Sequence, residues 1–232
     1  MRVEERIKEI IGKNEQFIMG FANLSGLLPE NYESCNYAIV IGKKLDDGII
    51  DSIEPGPTLE YYHHYKDTNH HLSTLIHKIS NELKAGNIST IVIEPTVSDE
   101  ELDDDYYKTL RMDFSHKMAA TRAGLGWIGK TDLFISEKFG PRLRLATILT
   151  DYPLRCSDEP VNESLCGSCV LCVKRCPAQA ANGKLWNIDV DRDEFYNPFK
   201  CREKCLELSG QNMKKHVSIC GICVSVCPVG RQ

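Results

Sequence analysis

Nine of the eleven cysteines of this chain fall between positions 166 and 227, and their spacing is the feature most able to do chemistry. Cys166, Cys169, Cys172 and Cys176 follow one another at gaps of two, two and three residues, with Pro177 directly after the last. A short turning loop of this kind presents three thiolates to one [4Fe-4S] cubane, and the fourth, set off by a longer gap before a proline, reaches a second cubane. Cys220, Cys223 and Cys227-Pro228 repeat the run with its first cysteine missing, since Val217 stands in that place. Crossing the two runs assigns Cys166, Cys169, Cys172 and Cys227 to one cluster. It leaves Cys176, Cys220 and Cys223 on the other, one ligand short. Cys201 and Cys205 are the available suppliers, and Cys201 is favoured. Zinc sites pair CxxC hairpins across a longer stretch and match this tight run poorly. The expectation is two [4Fe-4S] clusters and electron transfer. Cys35 and Cys156 have no motif around them and are read as small buried apolar residues.

A glycine-rich segment, Gly124-Leu-Gly126-Trp127-Ile-Gly129-Lys130-Thr131, formally satisfies both the phosphate-binding loop and the dinucleotide fingerprint. Both motifs need a strand before the glycines and a helix after, because the phosphate rests on amides at a helix N-terminus. Here Ser115 to Ala123 is made of helix formers and TDLFIS after the segment reads as a strand, so the order is reversed. The glycines are expected instead to let the backbone turn sharply or approach a flat ligand, with Trp127 packing beside it. The acidic stretch Asp99 to Asp105 reads as a solvated loop or helix start. His63, His64, His70 and His71 recur at helical spacing and are expected on a solvated face.

These residues need elements to position them. Residues 1 to 13 form an amphipathic helix pattern stopped by Gly12, and Phe17 to Ala22 follows as an apolar strand candidate. Tyr37 to Gly42 is a second, buried on both faces by its uninterrupted apolar run. Thr58 is an N-cap for a long helix that ends at Gly86, and Ser89 to Glu94 is a third strand. Leu133 to Ser136 and Leu143 to Leu149 read as two strands joined through Gly140-Pro141. Pattern fades between Asp151 and Ser164. The expected organisation is therefore an α/β domain over residues 1–155 and a two-cluster module over 156–232. Hydrophobic residues make up 42 % of the chain and the net charge is -5, which argues against a broad phosphate-binding surface. No apolar run is long enough to span a membrane and the N-terminus lacks the features of a secretory signal, so a cytoplasmic location is expected.

Four motifs in order, RAGLGWIGK (Arg122 to Lys130), LTDYPL (Leu149 to Leu154) and the two cysteine runs, resemble the epoxyqueuosine reductase family from about Met118 to Pro228. The family consists of cobalamin-dependent iron-sulfur enzymes related to reductive dehalogenases. The resemblance implies an α+β protein in which a nitroreductase-like α/β domain of cobalamin type precedes a two-cluster module like that of bacterial ferredoxins. It further implies that Gly124, Gly126, Trp127, Gly129 and Lys130 line a cofactor site, and that electrons from a donor such as ferredoxin or flavodoxin pass through the clusters to cobalamin and on to a small substrate. Asp113 is the nearest match to the family's proton donor, although it stands a few residues closer to the glycines; a carboxylate near a helix N-terminus is the alternative. Family members continue past the second cysteine run into a helical repeat domain that helps grip transfer RNA, whereas this sequence ends at Gln232. With its acidic balance, transfer RNA is not the expected substrate. The competing reading is a ferredoxin-like electron carrier without cobalamin or catalysis of its own.

Overall fold

The computed structural model describes residues 2–231 and divides them into two compact units that the chain enters more than once. The first takes in the residues up to Lys44, Thr68–Leu125 and Arg144–Val161. The second takes in Leu45–Asp67, Gly126–Leu143 and the chain from Asn162 onward. The expected boundary at 155–156 lies close to the last crossing only. Two earlier segments also fold with the cysteine-bearing unit, because their apolar residues and turns pack there.

The first unit is built on a four-stranded sheet in the order β1-β2-β6-β3, formed by β1 (Phe17–Asn23), β2 (Tyr37–Lys44), β3 (Thr90–Ile93) and β6 (Leu143–Thr150). β1 runs antiparallel to β2 with Gly20 opposite Val40, and β3 antiparallel to β6 with Val92 opposite Ile148. Alternation along the strands sorts side chains to two faces. Phe21, Ile39, Ile41 and Ile148 share one core with Ile7 of α1 (Val3–Ile11) and with Leu72, Ile76, Ile79 and Leu83 of α3 (Leu59–Ala85). Those four α3 positions follow helical spacing, so one face of the helix lies on the sheet. At Gly20 the other face receives α5 (His116–Arg122) and the residues after it: an added Cβ would lie 3.0 Å from both Ala123 and Leu125. Helices on both sides explain why β2 is buried throughout its centre.

Local signals in the sequence set most of these boundaries. Gly12 ends α1, the Thr58 hydroxyl accepts from the Tyr61 amide at 3.1 Å, and the Ser115 hydroxyl accepts from the Met118 amide at 3.2 Å to start α5. The acidic stretch carries a helical turn and then α4 (Asp104–Thr109), opened by Asp103. The two strands expected on either side of Gly140-Pro141 both form, but they enter different sheets. β5 (Phe134–Ser136) pairs instead with a strand inside the glycine segment, β4 (Gly126–Ile128), and β6 goes to the four-stranded sheet.

The second unit combines the β4-β5 hairpin with short helices α2 (Asp47–Ser52), α6 (Leu171–Arg175) and α8 (Ile222–Ser225), and with the longer α7 (Pro198–Met213). One apolar cluster joins Leu45, Ile50, Ile53 and Tyr61 to Val224, and another joins Ile128 to Trp186 and Phe195. Arg142 is fully buried; its guanidinium pairs with Asp47 at 3.0 Å and Asp51 at 2.6 Å and donates to the Ser225 carbonyl at 3.2 Å. This ties α2 to the turn between Cys223 and Cys227. Among the described residues, no helix is long and apolar enough to cross a membrane.

Candidate metal centres

All nine clustered cysteines lie in the second unit and none is in a disulfide. Their mutual electrostatics show which thiols are neighbours. Burial, and then the neighbouring thiols Cys172, Cys166 and Cys169, push Cys227 up to about 11. Burial raises Cys172 too, with Cys166 and Cys169 beside it. Burial likewise raises Cys223, and its nearest sulfur influences are Cys201 and Cys220, followed by Cys172 and Cys176. Cys227 thus has the first three cysteines of the earlier run as neighbours, whereas Cys223 is influenced by Cys201 and Cys220 and also by Cys172 and Cys176.

The two candidates for the remaining ligand both sit on α7, one helical turn apart, with their sulfurs 3.9 Å from each other. Asn197 caps this helix by accepting from the Lys200 amide at 3.0 Å, which sets Cys201 in the first turn. Cys205 is buried and hydrogen-bonds with both Cys201 and Cys220. Its hydrogen bond lowers Cys201 to about 7, a direction reinforced by the Tyr196 hydroxyl. Cys205 itself moves upward. Cys201 is thus the lowered thiol of the pair and Cys205 the raised one, so Cys201 is the readier thiolate. Cys35 is buried, and Cys156 packs against the core of the first unit; burial raises both thiols, in keeping with their reading as apolar residues.

The donor set fits [4Fe-4S] binding. Soft thiolates in two groups of four suit iron-sulfur ligation. Among the described residues, no three or more His, Cys, Asp or Glu side chains converge as they would around one metal ion. A cubane instead spreads its thiolates over separate iron corners.

The glycine segment serves the first set of cysteines. The Trp127 indole N–H donates to the Cys166 sulfur at 3.3 Å. Lys130, only 4 % exposed, donates to the carbonyls of Gly167 and Cys169, each at 2.9 Å. The Thr131 hydroxyl hydrogen-bonds to Cys172. Space at the glycines is taken by the protein. A Cβ at Gly126 would lie 2.0 Å from the Ile135 carbonyl, one at Gly124 would meet Ser157 and Glu159, and one at Gly129 would meet Ile135 and, at 3.6 Å, the Cys166 sulfur. The close approach expected for a flat ligand is therefore made by a neighbouring strand and a cysteine loop. Trp127 is buried within the second unit. Thr131, Asp132 and Tyr196 are functional neighbours that sequence reading missed, since nothing in their own sequence context points to sulfur.

Asp113 lies in the first unit, in the wall of a cavity of about 380 Å³ that also includes Tyr32, Tyr106, Met112, Phe114 and His116. His116 forms its inner side. The carbonyl of Glu94, 2.9 Å from Nε2, can only accept, so Nε2 carries the proton and Nδ1 accepts from the Thr147 hydroxyl at 2.8 Å. Burial lowers this histidine to about 4, and Arg144 adds to the effect against the opposing pull of Glu94. Phe114 packs edge-on against both Tyr32 and His116. The cavity is mostly aromatic and apolar with one exposed carboxylate, and its size suits a small organic molecule rather than a corrinoid. The histidines of α3 do not gather: His64 accepts from the Asp46 amide at 2.9 Å, whereas His71 packs edge-on against Phe17.

Comparison with known proteins agrees with two clusters in the cysteine-bearing part of the chain. Residues 165–230 match the family described as "4Fe-4S double cluster binding domain". The epoxyqueuosine reductase of Synechocystis is 35 % identical over 113 residues, which is 48 % of this chain and 38 % of that protein. The chain therefore spans well under half the length of this relative. A reductive dehalogenase whose structure "suggests a mechanism for B12-dependent dehalogenation" has a similar fold, with a TM-score of 0.66 at 16 % identity over 93 % of this chain and 30 % of that one. An epoxyqueuosine reductase solved with an epoxyqueuosine-modified tRNA stem loop gives a TM-score of 0.57 at 18 % identity, over 98 % of this chain and 64 % of that chain.

Proposed function

We propose, from a chain whose cluster-binding half is related to the epoxyqueuosine reductases, that this protein is an iron-sulfur oxidoreductase that passes electrons through two [4Fe-4S] clusters to a small substrate. The observation that supports the reading is the double-cluster match over residues 165–230 together with the closeness of Cys227 to Cys172, Cys166 and Cys169; the ligand sets proposed are Cys166, Cys169, Cys172 and Cys227, then Cys176, Cys201, Cys220 and Cys223. When bound, such clusters supply one-electron transfer, with a low-potential protein such as ferredoxin or flavodoxin as the donor. The chain's own contribution is to hold the first cysteine loop, through Trp127, Lys130 and Thr131. In the first unit, for which the resemblance suggests a nitroreductase-like fold, Asp113 is positioned to give a proton to a molecule in the cavity beside it.

Cobalamin is proposed as the terminal cofactor on the resemblance and on the B12-dependent chemistry named for the structurally similar dehalogenase. It would supply the strongly reducing cobalt centre. A net charge of -5 supports a small molecule over transfer RNA as substrate. The alternative, an electron relay without a corrinoid, is favoured by one observation: neighbouring protein atoms occupy the space beside Gly124, Gly126 and Gly129.

Anaerobic reconstitution tests the cluster reading first. About eight irons and eight sulfides per chain are expected, falling to about half for Cys201→Ser and remaining full for Cys205→Ser. Full iron in Cys201→Ser with loss in Cys205→Ser would transfer the ligand role to Cys205. Titration of the reconstituted chain with cobalamin then separates the two functions, since a corrinoid spectrum that does not change supports the relay.

A further inference from the structure

Two clusters on one chain differ in potential only if their surroundings differ. Hydrogen bonding does not distinguish them here. Around the Cys166 set, the Trp127 indole and the Thr131 hydroxyl donate to sulfur, as do the backbone N–H groups of Val173 and Val229. Around the Cys176 set the matching donors are the Tyr196 hydroxyl, the Cys205 thiol, and the backbone N–H groups of Ala180 and Ile222. Each side receives four.

Full charges do distinguish them. The ammonium of Lys130 is buried in the loop that carries Cys166, Cys169 and Cys172, and its hydrogen bonds go only to two neutral carbonyls. Among the described residues no carboxylate pairs with it. Burying a cation without an anion is costly unless an anion arrives with the ligand, and a thiolate-bound [4Fe-4S] cluster is such an anion. In surroundings of low dielectric, a nearby cation favours an added electron and a nearby anion opposes it.

We infer that Lys130 is a positioning charge that makes the Cys166, Cys169, Cys172 and Cys227 cluster the higher-potential member of the pair, so that a single electron delivered to the chain settles there. The inference rests on the crossed ligand sets proposed above. Two residues of the apparent phosphate-binding motif, Lys130 and Thr131, thereby acquire a use that involves no nucleotide: they face an iron-sulfur anion.

The test is a reductive titration of the full reconstituted chain with dithionite, which supplies the electrons and is itself oxidised, followed by electron paramagnetic resonance. Two separate reduction steps are expected. Lys130→Met should move the more positive step to lower potential and leave the other in place, and Lys130→Arg should restore it. If Lys130→Met does not retain its iron, Lys130→Gln, which keeps a donor for the Gly167 and Cys169 carbonyls but not the charge, carries the test: it should lower the same step. The inference is overturned if the wild-type clusters titrate together, or if Lys130→Met, or Lys130→Gln in its place, shifts neither step or both alike. Wild-type iron well below about eight per chain would instead overturn the ligand sets; full iron with equal potentials leaves them standing and removes only the role of Lys130.

Discussion

Single residues here take their chemistry from partners distant in sequence. His116 shows how far this can move an ordinary side chain. In water it would be half protonated near 6.5, but burial lowers it to about 4 in the folded protein. Between those values the unfolded chain binds a proton that the folded chain refuses, so stability from this residue is complete above pH 6.5 and is lost as pH falls toward 4. Part of the ring faces the cavity, which softens the effect, and a loss of about 1 kcal/mol by pH 5.5 is expected. Urea unfolding of wild type and His116→Gln at pH 7.5 and 5.5 isolates this contribution, because any acid lability of the clusters is common to both. The advantage of wild type should shrink at the lower pH; an advantage that does not change would mean that the ring is protonated in the fold. The double-cluster character of residues 165–230 was legible in the sequence because the spacing of its cysteine runs suits a cubane. The role of His116 was not legible, because it depends on a carbonyl at Glu94 and a hydroxyl at Thr147 that only the sheet brings together.

At the scale of elements, legibility followed length. α1, α3, β1 and β2 were readable because each carries several periods of its own pattern and an evident cap or stop. The β4-β5 hairpin was not readable. Each strand has three residues, and two of the residues that place it, Gly126 and Gly140, look from the sequence like loop punctuation. Their actual work is close packing. Gly126, with φ at +153°, lies against the Ile135 carbonyl of the paired strand, and a Cβ at Gly140 would come 1.9 Å from the Val229 carbonyl just beyond Cys227. Gly126→Ala therefore cannot keep both the backbone conformation and the strand pairing. It should cost at least about 2 kcal/mol and loosen Trp127 and Lys130 from the Cys166 loop. Calorimetry of the reconstituted variant should show a lower melting temperature, and desalting should remove iron that wild type retains. A variant with unchanged melting and iron content would mean that the hairpin is not what steadies this loop.

For the whole molecule, the order of motifs along the chain suggested two consecutive domains meeting near residue 155, and the fold is not cut there. The cluster-bearing unit draws on Leu45–Asp67 and Gly126–Leu143, segments that a reader of the sequence would assign to the first domain. The contributions are specific. Ile50, Ile53 and Tyr61 supply much of the apolar cluster around Val224, the Asp47 and Asp51 carboxylates hold Arg142 against the Ser225 carbonyl, and Trp127, Lys130 and Thr131 bond to the first cysteine loop. A fragment of residues 156–232 keeps every proposed ligand and loses all of these supports. Thiolate spacing alone can admit iron, but the loops that present the thiolates would then be held by little beyond the clusters, and exposed clusters are open to solvent and oxidation. The fragment is therefore expected to take up iron anaerobically and lose it on gel filtration, with a far-UV spectrum that depends on the metal, whereas the full chain retains it. Restoring residues 45–67 and 126–143 within the intact chain, rather than adding a longer tail to the fragment, is what should recover retention. A fragment that holds its full iron through gel filtration would show that the cysteine module folds independently, and would return the boundary to the place where the sequence put it.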